Sequence, residues 1–130
     1  SHGVYYLQRF VHCEGEGFSD NRVFVINGRA VAAMRRRGKF WLNNVARGAS
    51  CELIDLEPEM VDLAVKATTA LAMDYAGVDI IRDRDGRCTI IEVNSIPAWK
   101  GLESVCDVNI AGLMADDLIT RKMHKKTVAA

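Results

Sequence analysis

The sequence predicts an α+β fold, an antiparallel sheet backed by helices on one side. Three observations carry that expectation. Asn27-Gly28 separates the alternating apolar runs RVFVI and RAVAAMR, and Asn-Gly in that setting is a strong hairpin signal. Asp85-Gly86 does the same between GVDII and CTIIEV. Between the hairpins, residues 58–76 are rich in Ala, Leu, Met and Val, with Leu56, Met60, Ala64, Ala67 and Leu71 at helical spacing. Strands that come in local pairs, rather than alternating singly with helices, disfavour a parallel doubly wound sheet.

Taken in order, residues 4–11 (VYYLQRFV) are aromatic and β-branched and suit a strand. Residues 12–20 carry two glycines and no period, so they read as a loop. With Asn27-Gly28 as a two-residue turn, Asp20 faces Arg35, Arg22 faces Ala33 and Phe24 faces Val31. One face of that hairpin then holds Val23, Val25, Ala30, Ala32 and Met34, against a helix. The other holds Arg22, Phe24, Val31, Ala33 and Arg35. Residues 36–57 read as an irregular crossing that ends in a short apolar piece. Pro58 suits the first turn of a helix and Gly77 its stop. After the second hairpin, NSIPAWKGLE is irregular. A last helix over about 108–122 carries Ile110, Leu113, Met114 and Leu118. Residues 1–3 have the look of a tag remnant, residues 4–122 form one domain, and residues 123–130 read as a frayed tail.

The chain has 130 residues, the size of one domain, and 17 basic side chains balance 17 acidic ones. No net charge draws it toward nucleic acid or an anionic membrane. No apolar run approaches the ~20 residues that span a bilayer, and no secretory signal opens the chain. Cys13, Cys51, Cys88 and Cys106 lack metal-type spacing and read as reduced thiols, which points to the cytoplasm. His2, His12 and His124 make no pair at ligand spacing and read as solvated side chains.

The second hairpin raises a chemical question. With Asp85-Gly86 as its turn, Asp79 lies directly across from Glu92, and Asn94 shares their face. The reverse face shows Val78, Ile80, Ile91 and Val93, an ordinary core face. Like charges directly opposed on a sheet are destabilising. One carboxyl could stay protonated, or a cation could sit between them. Two carboxylates and an amide oxygen make a hard oxygen site of the kind magnesium prefers, commonly shared with phosphate oxygens. Acids at a wet edge that splay into solvent account for the pattern equally well. The first hairpin adds Arg22 and Arg35 on its polar face, and arginine forks suit phosphate and carboxylate.

At these residues the chain resembles the C-terminal part of ATP-grasp ligases of the RimK-like glutamate ligase branch. The matching pieces are LQRFV (7–11), DNRVFVINGRAVAAMRR (20–36), WLNNVARGA (41–49), GVDII (77–81) and IIEVNSIPAWKGLE (90–103), in order and over nearly the whole chain. The resemblance implies an ATP-grasp C-terminal lobe. It implies an enzyme that activates a carboxylate with ATP as an acyl phosphate, which an amine then attacks. It places Asp79, Glu92 and Asn94 on one or two Mg2+ ions, with Mn2+ as a substitute. Gln8, Arg9, Phe10 and Val11 become the hinge beside adenine, with Asp20 near the nucleotide. Arg22 and Arg35 face the transferred phosphoryl group, while Asn44 and Arg47 lie toward the substrate. Arg9 stands where many relatives carry an acid, Ala49 replaces the second glycine of an RGG, and Ala98 replaces a glycine common after the proline.

The partners implied are ATP, a small-molecule or peptide carboxylate acceptor, and an amino acid, with glutamate foremost. Neither nucleic acid nor membrane is among them, and a homo-oligomeric native enzyme is compatible. One lobe without its counterpart is expected to fold but not to ligate. Two other readings remain: a degenerate nucleotide- and metal-binding module, and an ATP-grasp ligase using a different amine.

Overall fold

The computed structural model describes residues 3–5, 7–15, 17–38 and 49–123. Strands β1 (Phe18–Ile26), β2 (Arg29–Gly38) and β3 (Ser50–Ile54) precede helix α1 (Pro58–Ala70). Then come β4 (Tyr75–Arg82), β5 (Cys88–Asn94), the short α2 (Lys100–Glu103) and α3 (Ile110–Asp117), which runs into a π-helical turn, Leu118–Met123. The strands form one antiparallel sheet in the order β3-β2-β1-β4-β5. Both expected hairpins are therefore present, joined through β1 and β4. The chain 50–54 that ends the expected irregular crossing is the edge strand β3.

Helices cover both faces of this sheet, not one. On one face Met60 and Ala64 of α1 pack on Val23, Val25, Ala33, Val78 and Ile80. On the other, Leu102 and Ile110 close over Phe24, Ile26, Ala32 and Met34. A β-bulge decides which side chains of β2 join which cluster. Val25 pairs with Ala30 as the turn dictates, but Phe24 pairs with Ala32, so Val31 is one residue too many. Side chains alternate, so a one-residue slip moves every later residue of β2 to the other face. Ala32 and Met34 thereby leave the α1 side, and Ala33 and Arg35 join it.

The second hairpin slips twice. Its turn is longer than two residues: Asp83 N–H donates to Arg87 O (2.9 Å), Gly86 N–H to Asp83 O (3.0 Å), and Gly86 takes φ 79°. Asp83 Oδ1 also accepts from the N–H groups of Asp85 and Arg87, both at 2.9 Å. A second irregularity between Asp79 and Ile80 restores the original offset. Asp79 does face Glu92, because two departures from the simple hairpin cancel. Between them, Ile80 pairs with Ile90, and Ile90, not Ile91, joins the core against α1.

Three element boundaries differ from expectation. Helix α1 stops at Ala70, not at Gly77. Ala72 takes φ 51°, and Met73 N–H closes onto Thr68 O at 2.9 Å, so the chain turns in time for Tyr75 to begin β4. Leu56 and Leu71, the ends of the expected stripe, are exposed. The last helix starts at Ile110, where Asn109 Oδ1 accepts from Gly112 N–H (2.8 Å), and only Ile110 of its stripe is fully buried. Residues 4–11 form no strand among the described residues: Val4, Tyr5 and Leu7 are exposed, and a strand needs a hydrogen-bonded neighbour. The segment is tied to the sheet at Cys13, which bridges Asp83, while Glu14 N–H donates to Arg82 O (2.8 Å). All four cysteines are free thiols. Among the described residues no helix is long and apolar enough to cross a membrane.

Candidate functional site

The α2–α3 face of the sheet carries a polar cluster beyond the apolar one. Arg22, Asp79 and Glu92 follow each other across β1, β4 and β5, and Gly77 pairs with Asn94 two residues along. Asp20 sits across from Arg36 on β2. Alternation puts all of these on one face.

Asp20, Arg22, Arg36 and Asp79 are buried. Arg22 grips Asp79 with two parallel bonds, Nε to Oδ1 at 2.7 Å and Nη2 to Oδ2 at 2.8 Å. Arg36 grips Asp20 the same way, at 2.8 and 2.5 Å, and its Nη2 also reaches Asp79 Oδ2 at 2.8 Å. Fork-to-fork geometry of this kind is strong and directional. Burial, the largest influence, pushes the Asp20 carboxyl above its ordinary value although Arg36 pulls it down. Burial also works against the Arg36 charge, but the bond to Asp20 and the charge of Asp79 outweigh it and hold the guanidinium pKa above its usual value. The four charges neutralise one another within the sheet.

Glu92 is exposed beside this cluster, and Asn94 is half-buried. Asn94 Oδ1 accepts from Ile96 N–H at 2.9 Å, which fixes the start of the loop that follows β5. Pro97 of that loop is buried, and Trp99 packs edge-on against Phe24, ring centres 6.3 Å apart.

The two arginines expected on one face do not share it. Arg22 lies on the site face, but Arg35 lies on the α1 face, where its Nε donates to Asn21 Oδ1 (3.1 Å) and its Nη1 to Glu52 (3.4 Å). Arg36 takes the place assigned to Arg35, moved there by the bulge at Val31. No signal in the sequence marks that bulge. Gln8, Arg9 and Phe10 are exposed and Val11 half-buried, all outside the sheet, and the Phe10 ring meets His12 and Phe18 edge-on. Asn44 and Arg47 lie outside the described residues. Among the described residues no three His, Cys, Asp or Glu side chains gather as a metal site. The set of Asp79, Glu92 and Asn94 is of another kind, two carboxylates and an amide. Its all-oxygen chemistry, with the acids directly opposed, fits a hard divalent cation.

The five-stranded antiparallel sheet with its helices is of the ATP-grasp class, as the comparisons with solved structures and with the family model show. Among solved structures it is similar to the ATP-grasp ligase PsnB complexed with a precursor variant, Mg and ADP. The TM-score is 0.65 at 28% identity, over 78% of this chain and 32% of that one. It shares the fold of D-alanine–D-alanine ligase from Bacillus anthracis, with a TM-score of 0.59 at 20% identity over 88% of this chain. The model of the RimK-like ATP-grasp domain matches residues 4–118, and the chain belongs to that family. It is 40% identical over 119 residues to the tetrahydromethanopterin:alpha-L-glutamate ligase of Methanocaldococcus jannaschii, covering 91% of this chain and 40% of the relative. To the probable alpha-L-glutamate ligase 2 of Hahella chejuensis it is 41% identical over 116 residues, covering 87% and 37%. The chain thus spans about two fifths of the length of these relatives.

Proposed function

We propose that the chain is the C-terminal lobe of an ATP- and Mg2+-dependent carboxylate–amine ligase, with glutamate as the incoming amine. One observation carries the reading: Asp79, opposite Glu92 on the ladder, is held at two points by Arg22 on the face that also bears Asn94. The names of the glutamate-ligase relatives support the choice of amine.

In the reaction a carboxylate oxygen of the acceptor attacks the γ-phosphorus and the bond to ADP breaks. The amine nitrogen then attacks the acyl carbon, phosphate departs with its bonding pair, and the nitrogen loses a proton. No nucleophilic side chain is needed, because phosphoryl transfer depends on positioning and charge stabilisation. Arg22 and Arg36 are the charge-stabilising pair, presenting guanidinium N–H groups to phosphoryl oxygens. Asp79, Glu92 and Asn94 would hold the magnesium, which when bound supplies neutralising charge to the phosphates. Asp20 orients Arg36. Gln8 to Val11 serve adenine, largely by backbone, and Asn44 and Arg47 serve the substrate.

The test is a titration of Mg2+ with a non-hydrolysable ATP analogue into the isotope-labelled chain and into the longer protein. Amide shifts are expected at Gln8–Val11, Arg22, Arg36, Asp79, Glu92 and Asn94, and Asp79→Asn should abolish them. Absence of shifts at millimolar ligand in both proteins would sink the reading. Nucleotide binding without phosphate release on adding glutamate and acceptor to the longer protein would favour a binding module instead.

A further inference from the structure

We propose that Gly77 and Pro97 are positioning residues: they wall the slot through which the Arg22 side chain passes from β1 to Asp79 on β4, so that the seat of the loop after Asn94 sets where the guanidinium points. The consequence for turnover rests on the ligase reading above; the geometry does not.

Gly77 lies inside β4, paired with Phe24 on one side and Asn94 on the other. Its φ is not among the positive values that make glycine necessary for backbone reasons. Glycine inside a strand otherwise marks a close approach. A Cβ at this position would stand 2.7 Å from Pro97 Cβ, 3.3 Å from Arg22 Cδ and 3.5 Å from Arg22 Nε. Pro97 Cβ belongs to a ring fused to the backbone and cannot rotate away. The proline itself is among the fully buried side chains.

The loop has little freedom to lift. Asn94 Oδ1 holds Ile96 N–H, Trp99 packs on Phe24, and Leu102 N–H closes onto Trp99 O at 2.9 Å. Phe24 is itself the β1 partner of Gly77. The atom nearest the slot on the arginine's head, Nε, is the donor to Asp79 Oδ1. A displacement of the arginine stem by a few tenths of an ångström is therefore passed directly to the ion pair. The same stretch of chain begins at Asn94, so the cation side and the anion side of the site share one mechanical support.

The experiment follows the Arg22 Nε–Hε resonance and its exchange with water in the isotope-labelled chain. Gly77→Ala is expected to move the resonance and speed the exchange. Gly77→Ala combined with Pro97→Gly, which removes the opposing Cβ, should return both toward wild type. Gly77→Ala combined with Pro97→Ala keeps a Cβ on each side and should not. An unmoved Arg22 signal in folded G77A, or no recovery in the Pro97→Gly double variant, overturns the proposal. Where G77A does not fold, P97G alone decides: faster Arg22 exchange is expected from the widened slot, and unchanged exchange overturns it. In the longer protein, kcat for ligation should fall roughly 10- to 100-fold in G77A and recover in the same order. An Arg22 signal that responds as described, in a longer protein without ligation, would uphold the positioning role and remove the ligase reading.

Discussion

Burial works against the charge of Asp20. The residue is buried, and its partner Arg36 is shared with Asp79. Burial raises its folded-state pKa above the ordinary 3.8. A raised carboxyl binds protons more readily folded than unfolded, so its contribution to stability is full below 3.8 and is lost as pH climbs through the raised value. Asp20→Asn removes that titration. The stability of wild type minus that of Asp20→Asn should therefore fall as pH rises from about 4 to about 7, read by denaturant unfolding at each pH. A rise with pH would mean that the Arg36 bond, not burial, governs Asp20.

At the scale of elements, the two hairpins decide which side chains meet. The turn residues Asn27-Gly28 and Asp85-Gly86 made the hairpins legible, because their chemistry demands a turn wherever they occur. The bulges were not legible. An extra residue at Val31 or Ile91 is apolar like its neighbours, and either register buries an acceptable set of side chains. Hence Asp79 meets Glu92 as the simple hairpin predicts only because two slips cancel, and Arg36 could not be told from Arg35 in a run of three arginines. The second sheet face was legible only in part: Phe24 and Ile26 reach it in either register, while Ala32 and Met34 reach it only through the bulge. This assignment has a thermodynamic test. Arg36→Met strips a buried guanidinium from two carboxylates and should cost about 3–5 kcal/mol. Arg35→Met breaks bonds at a half-exposed position and should cost about 0–1 kcal/mol. Equal costs in denaturant unfolding would return Arg35 to the site face and refute the register.

At the scale of the molecule, the site lies on an open face. Arg22 and Asp79 are buried in the sheet, yet Glu92 beside them is exposed, as are Val4, Tyr5, Leu7 and Ile96. Exposed apolar side chains such as these are candidates for cover by further protein. The chain spans about two fifths of its glutamate-ligase relatives, which leaves room in those proteins for such cover. Acyl phosphates are lost to water unless the site is closed, and closure also strengthens each charge contact within it. On the ligase reading, one lobe presents Arg22, Arg36, Asp79, Glu92 and Asn94 in place, but an acyl phosphate formed beside the exposed Glu92 would meet water. The 130-residue chain is therefore expected to fold, with a cooperative unfolding transition, and to give no measurable amide product from ATP, glutamate and acceptor. On the ligase reading, a protein of the relatives' full length that carries this lobe should turn over under the same conditions. Equal product formation by the two would show that this lobe closes its own site and would remove the need for a second one.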